Sequence, residues 1–144
     1  MAQPHRARRL VLQGLCCHEV QGEKARELID AFIGAANDGA ATVNEARRLL
    51  TDALAERDAC DALLANYTGR WDVKRLAKVD RNILRLATYE LRTARVPAKV
   101  AISEAVKLAH EFSTAESPRF VNGILDAVAR DIAVELGTNE LDEK

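Results

Sequence analysis

Apolar residues recur every three or four positions along most of this 144-residue chain, the mark of amphipathic helices. The pattern predicts seven of them. The first spans about Pro4 to Glu19, with Pro4 suited to a first turn. Leu12 and Leu15, with Arg8 behind them, set its stripe, so Arg6 and Arg9 point away from the core or along its edge. The second covers about Glu23 to Ala36 through Leu28, Ile29, Phe32 and Ile33, and the Asn37-Asp38-Gly39 turn ends it. A third starts near Thr42 and carries Val43, Ala46, Leu49, Leu50, Ala53 and Leu54; it either continues or breaks near Asp58 before a fourth segment through Leu63, Leu64 and Tyr67.

Thr68-Gly69-Arg70 reads as a subdomain boundary, since Gly69 supplies a left-handed turn. Trp71 is expected to fix the junction, and Asp72 to cap a short helix through Val73, Leu76 and Ala77. Asp80 is expected to cap the fifth helix, whose stripe is Ile83, Leu84, Ala87 and Leu91 and which ends before Pro97. The sixth runs from about Lys99 to Phe112. Ser117-Pro118 starts the last, as an N-cap followed by proline, and Gly137 stops it. Strand signals are absent: no alternating run appears, and Asp38-Gly39 lies between helical patterns. The expectation is an all-α chain of two helical subdomains, about residues 4–68 and 71–137, with a disordered acidic tail at 138–144.

Composition agrees with an aliphatic helical core, at 48% apolar and 4% aromatic residues. The net charge of −1 hides a strong polarity. Residues 1–18 hold Arg6, Arg8 and Arg9 and no acid; residues 70–99 hold nine bases against three acids; residues 19–68 hold ten acids against five bases. Basic segments of this kind attract phosphates whatever the total charge. Cys16, Cys17 and Cys60 form no disulfide framework, which favours a reducing cytoplasm, and no apolar run is long enough to be a signal peptide or membrane span.

Enzyme templates fail one by one. His5, His18 and His110 lack metal-site spacing, Cys16 and Cys17 lack a second zinc-binding pair, and no glycine-rich phosphate loop occurs. Cys16 with His18 as nucleophile and base is outweighed by the reading of two residues on one helix pointing in different directions. No cofactor or metal is expected. The cluster His5-Arg6-Ala7-Arg8-Arg9 stands out. A solvated helix start would account for it, but cations at a helix N-terminus oppose the dipole, and a bound anion would offset that. Arginine also grips phosphate bidentately and stacks on bases. A second candidate is Ser117-Pro118-Arg119-Phe120 at a helix N-terminus, where free N–H groups favour anions. Phe120 either stacks on an unpaired base or packs beside Val121 and Ile124. Asn122 and Gly123 read as close helix packing, above all Gly123. Arg81 and Arg85 read as surface partners of acids such as Asp80.

Three runs carry a resemblance: Asp80-Arg81-x-Ile83-Leu84-Arg85-Leu86-Ala87-x-Tyr89-Glu90-Leu91, Pro97-x-Lys99-Val100-Ala101-Ile102-x-Glu104-Ala105-Val106, and Phe120-Val121-Asn122-Gly123-Ile124-Leu125-Asp126. With the arginine-rich first helix and Trp71, their order and spacing resemble the NusB family of bacterial transcription antitermination factors over nearly the whole chain. The resemblance implies a NusB-like fold with a three-helix bundle in each subdomain, and no catalytic activity. It implies binding of boxA RNA in ribosomal RNA leader transcripts, together with the ribosomal protein NusE, within an antitermination complex on RNA polymerase. Position by position, it assigns RNA contacts to Arg6, Arg8, Arg9, Glu116, Arg119 and Phe120, and the NusE-facing position to Asp80. The sequence departs from the family at Cys16, where Tyr commonly follows Leu, at Ser103 in place of Asn, and at Pro118. Two other readings remain: an RNA-binding accessory domain like the one that precedes some ribosomal RNA cytosine methyltransferases, and a structural homodimer.

Overall fold

Proline and glycine set the helix ends in the computed structural model, which describes residues 1–69, 72–135 and 137. Helix α1 (Pro4–Gln21) has its proline in the first turn, and Gly22 closes it with a φ of 80° while its N–H donates to the His18 carbonyl at 2.7 Å. A 3-10 turn at Glu23–Ala25 leads into α2 (Arg26–Ala35). Gly39, at a φ of 87°, completes the turn before α3 (Ala40–Ala55). After it come α4 (Arg57–Leu64), a 3-10 turn at Val73–Arg75, α5 (Lys78–Thr93), α6 (Ala98–Phe112) and α7 (Ser117–Glu135). The described residues contain seven α-helices and no strand.

The chain divides into two compact units, Met1–Ala55 and Glu56–Lys144. In the first, α1 packs against α2 and α3. Val11, Leu12, Leu15, Ile29, Ile33, Leu49 and Leu50 are buried there. Each such side chain contributes about 1.5–3 kcal/mol when fully withdrawn from water. Gly14 allows the close approach: a β-carbon at that position would stand 3.1 Å from Ile29 Cγ2 and 3.2 Å from Leu50 Cδ2.

In the second unit α5 is the central helix, packed by α4, α6 and α7. Every residue from Asn82 to Leu91 is buried, so the one-sided stripe expected from Ile83, Leu84, Ala87 and Leu91 understates its burial. A helix covered on all sides pairs most of its polar groups internally. Arg85, 7% exposed, does so with Asp61 of α4: Nε and Nη2 donate to the two carboxylate oxygens at 2.7 and 2.8 Å, and Nη1 donates to Asn82 Oδ1 at 3.2 Å. Arg81 donates to the carbonyls of Lys74 and Leu76, holding the preceding turn. Neither arginine is the surface partner of Asp80 that the sequence reading expected.

The units meet in sequence between Ala55 and Glu56, ahead of the boundary expected at Thr68–Arg70. The physical reason is the clamp just described, which ties α4 to α5. The second unit therefore holds four helices rather than three. Gly69 does take the left-handed conformation, at a φ of 64°, and the Asp72 side chain accepts from the Lys74 N–H at 3.1 Å, capping the short turn. Asp80 does not cap α5: the helix starts at Lys78 with Ala77 as its cap, and Asp80 sits in the first turn, where a carboxylate favours the helix dipole. The expected role of Trp71 and the acidic tail 138–144 lie outside the described residues.

Candidate functional site

Two elements carry the residues singled out by sequence, one in each unit. In the first unit, the opening turn of α1 has no acid, and its arginines separate by helical phase. Arg8 falls four residues before Leu12 and seven before Leu15, on their buried stripe, and is 3% exposed. Arg6 and Arg9, three apart, share the exposed face. The grouping of all three as surface contacts therefore needs correction: Arg8 belongs to the interior stripe that its spacing from Leu12 and Leu15 had already indicated.

Arg6 Nη1 pairs with Asp38 Oδ1 at 3.1 Å across the α2–α3 turn. Arg6, Arg9, Leu10, Gln13 and Asp38 line an open cavity of about 230 Å³. Two guanidinium groups and one carboxylate leave it net positive, with an amide in reach of the same space. The sequence pattern marks Asp38 only as a turn former and does not single out Gln13. Their signal was the i, i+4 spacing of Gln13 from Arg9 and the presence of a lone acid opposite a basic cluster. The first turn of α3 also fixes the entry to α1, since the Gln3 N–H donates to Thr42 Oγ1 at 2.9 Å.

In the second unit, the segment before α7 is held by hydroxyls gathered on Asp80. Ser113 Oγ donates to Asp80 Oδ1 at 2.6 Å and Ser117 Oγ to Oδ2 at 3.0 Å. Ser113 and Ser117 lie 2.7 Å apart, and Thr114 Oγ1 is 2.9 Å from Ser117 Oγ. Both carboxylate oxygens of Asp80 are engaged within its own unit. Ser117 is 2% exposed and Pro118 is buried, so they anchor the helix start. The hydroxyl of Ser117 serves Asp80, and the Glu116 carbonyl receives the first helical bond, from the Phe120 N–H at 3.3 Å.

Beyond the anchor, Glu116, Arg119 and Phe120 are exposed. Phe120 stands 36% exposed while Val121 and Ile124 are 0% and 8% exposed, which resolves the two readings of its ring toward the surface. Asn122 and Gly123 are exposed as well. Among the described residues a β-carbon built on Gly123 would meet nothing within 4 Å, so the expected close helix packing is absent among them.

The remaining candidate chemistry is structural. His18 Nε2 and Glu23 Oε2 are 2.8 Å apart, joining the end of α1 to the following turn. The histidine hydrogen bond holds the Glu23 carboxyl below its usual range. Cys16 and Cys17 are half-buried and Cys60 is buried. Among the described residues no group of three or more His, Cys, Asp or Glu side chains is placed to hold a metal ion, and no helix is long and apolar enough to cross a membrane.

Comparison with known proteins gives a consistent result. The model of the NusB family matches residues 5–130. The transcription antitermination protein NusB of Symbiobacterium thermophilum is 50% identical over 96 residues, a match covering 66% of this chain and 63% of that relative. The protein of the same name from a Nocardioides species is 39% identical over 133 residues, covering 91% of this chain and 96% of the relative. A solved structure of T. maritima NusB superposes with a TM-score of 0.82 at 36% identity, covering 91% of this chain and 94% of that one. These relatives carry the name of transcription antitermination proteins and not of enzymes.

Proposed function

Since the chain belongs to the NusB family of transcription antitermination proteins, we propose that it is a non-catalytic RNA-binding adaptor. Its RNA is the boxA element of ribosomal RNA leader transcripts. It binds with the ribosomal protein NusE and helps to assemble an antitermination complex on RNA polymerase in the cytoplasm. The observation that carries this reading is the exposed pairing of cation and ring at the start of α7. Arg119 and Phe120 project from a helix start whose own anchor, Ser117 and Pro118, is buried. A guanidinium positions phosphate, and an exposed ring stacks an unpaired base. Arg6 and Arg9 supply a second basic surface on α1. Phosphate contacts of this kind fix register and add affinity, while ring and polar contacts discriminate sequence.

Fluorescence anisotropy with labelled boxA RNA, with and without NusE, tests the proposal. Arg9→Ala should weaken binding to boxA and to a scrambled strand alike. Phe120→Ala should narrow the difference between them. A wild-type chain that binds neither RNA, alone or with NusE, refutes it. Asp80 is proposed to serve the NusE-facing surface indirectly, by holding the 113–117 segment in place.

A second reading has its own support. Leu28 and Phe32 are 61% and 48% exposed on α2, and with Ala31 and Ala35 they form an apolar stripe at helical spacing. Exposed stripes of this kind mark contact surfaces, which favours self-association. Sedimentation of the wild type and of Phe32→Lys, with and without RNA, tests it; a wild type that stays monomeric at high concentration removes this reading.

A further inference from the structure

Gly123 lies inside α7, six residues after its start and twelve before its end. Glycine weakens a helix interior relative to alanine because it costs more backbone entropy on folding. Two ordinary reasons for accepting that weakness fail here. The residue is not among the glycines with positive φ, and no neighbouring group among the described residues needs the space, since an added β-carbon would meet nothing of them within 4 Å. What remains is a close approach from outside the chain, the other established use of glycine.

The surroundings indicate what approaches. Glu116, Arg119, Phe120 and Gly123 are spaced to share one face of α7, and all four are exposed. Gly123 is one turn after the Phe120 ring, and Arg119 enters no ion pair among the described residues. A flat group laid against the ring extends over the helix surface where a side chain at 123 would stand. A nucleobase is flat and has a π-face, and its phosphate would meet the guanidinium.

We infer that Gly123 is an RNA-binding position: its bare backbone receives an unpaired base of single-stranded RNA that stacks on Phe120. This rests on the RNA-binding reading above and adds a residue and a geometry to it. The position selects for a thin, planar group against the helix, which a bulky protein side chain would not require.

The test uses the full chain, a labelled single-stranded boxA RNA, and the variants Gly123→Ala, Phe120→Ala and their combination. Gly123→Ala should raise Tm by about 2–4 °C, as expected for a better helix former in a protein of this size. It should also weaken RNA binding by about tenfold, within the range that loss of one stacked base produces. In the Phe120→Ala background the same change should cost less than about twofold, because the two residues act on one base. Unchanged RNA affinity in Gly123→Ala, with Phe120→Ala still weakened, overturns this inference and leaves the RNA-binding reading standing. A fall in Tm overturns it too, since the glycine would then serve the fold. So does a defect confined to NusE binding. Failure of the wild type to bind RNA removes the broader reading and this inference with it.

Discussion

Salt dependence separates the three arginines of α1 in a way that affinity alone does not. Arg6 and Arg9 face solvent, and Arg8 is 3% exposed. Arg119 adds a third exposed guanidinium on α7. Each phosphate neutralised on a single strand contributes about −0.7 to the slope of log affinity against log salt, so three contacts give about −2. Raising salt fourfold, from about 50 to about 200 mM, should then cost about twentyfold in affinity. Removing one contact with Arg9→Gln lowers the slope to about −1.4 and the loss to about sevenfold. Arg8→Met, which keeps an apolar stem, should leave the slope near −2. Anisotropy titrations at four salt concentrations resolve these slopes, with circular dichroism to confirm folding. The reasoning fails if folded Arg8→Met flattens the slope as much as Arg9→Gln does, because Arg8 would then reach a phosphate despite its place on the Leu12–Leu15 stripe.

Other consequences follow from the interior. Asp61→Ala strands the Arg85 guanidinium in the second unit and should destabilise by about 3 kcal/mol, the lower end of the range for breaking a buried pair because Asp61 is partly exposed; Arg85→Met with Asp61→Leu should recover most of it in urea titrations, and no recovery would count against the clamp. Burial pushes the Cys60 thiol up to about 11 despite the opposing hydrogen bond from Arg92. Because the folded value lies above that of the unfolded chain, the associated stability is fully present below about pH 8.5 and is lost as pH rises through the folded value. In a thiol-reagent assay at pH 8, Cys16 and Cys17 should react ahead of Cys60, and simultaneous reaction of all three would contradict its burial. Ala94 ends α5 at a φ of 50°, a left-handed geometry costly for any residue with a β-carbon; Ala94→Gly should stabilise by about 1 kcal/mol, and a lower Tm would refute that.

Periodicity made the helices legible because each has an apolar face wide enough to read. It did not reveal how α5 is covered on all sides, since Arg85 and Asn82 look like surface residues until Asp61, 24 positions away, is brought to them. The same long-range clamp moved the unit boundary from the glycine turn at Gly69 to Ala55. Local signals mark where the chain bends, whereas unit membership depends on which helices pair. At the candidate site, spacing alone placed Arg8 behind Leu12 and Leu15; counting arginines as a cluster obscured that phase. Phe120 could not be assigned from sequence because Val121 follows it directly and only the rotation of α7 decides which ring or branch turns inward. Gly123 looked like a packing glycine because its neighbours across space are invisible in a linear text.

Gly14 gives the basic surface a hidden dependence. The residue sits one position from Gln13 and five from Arg9, on the opposite side of α1, against Ile29 and Leu50. A larger residue there must push the Ile29 and Leu50 side chains aside or shift α1, and with it the cavity lining. A genetic screen for lost RNA recognition should therefore return changes at this concealed spot among its hits, and a map of such hits painted onto the exterior would misplace its centre.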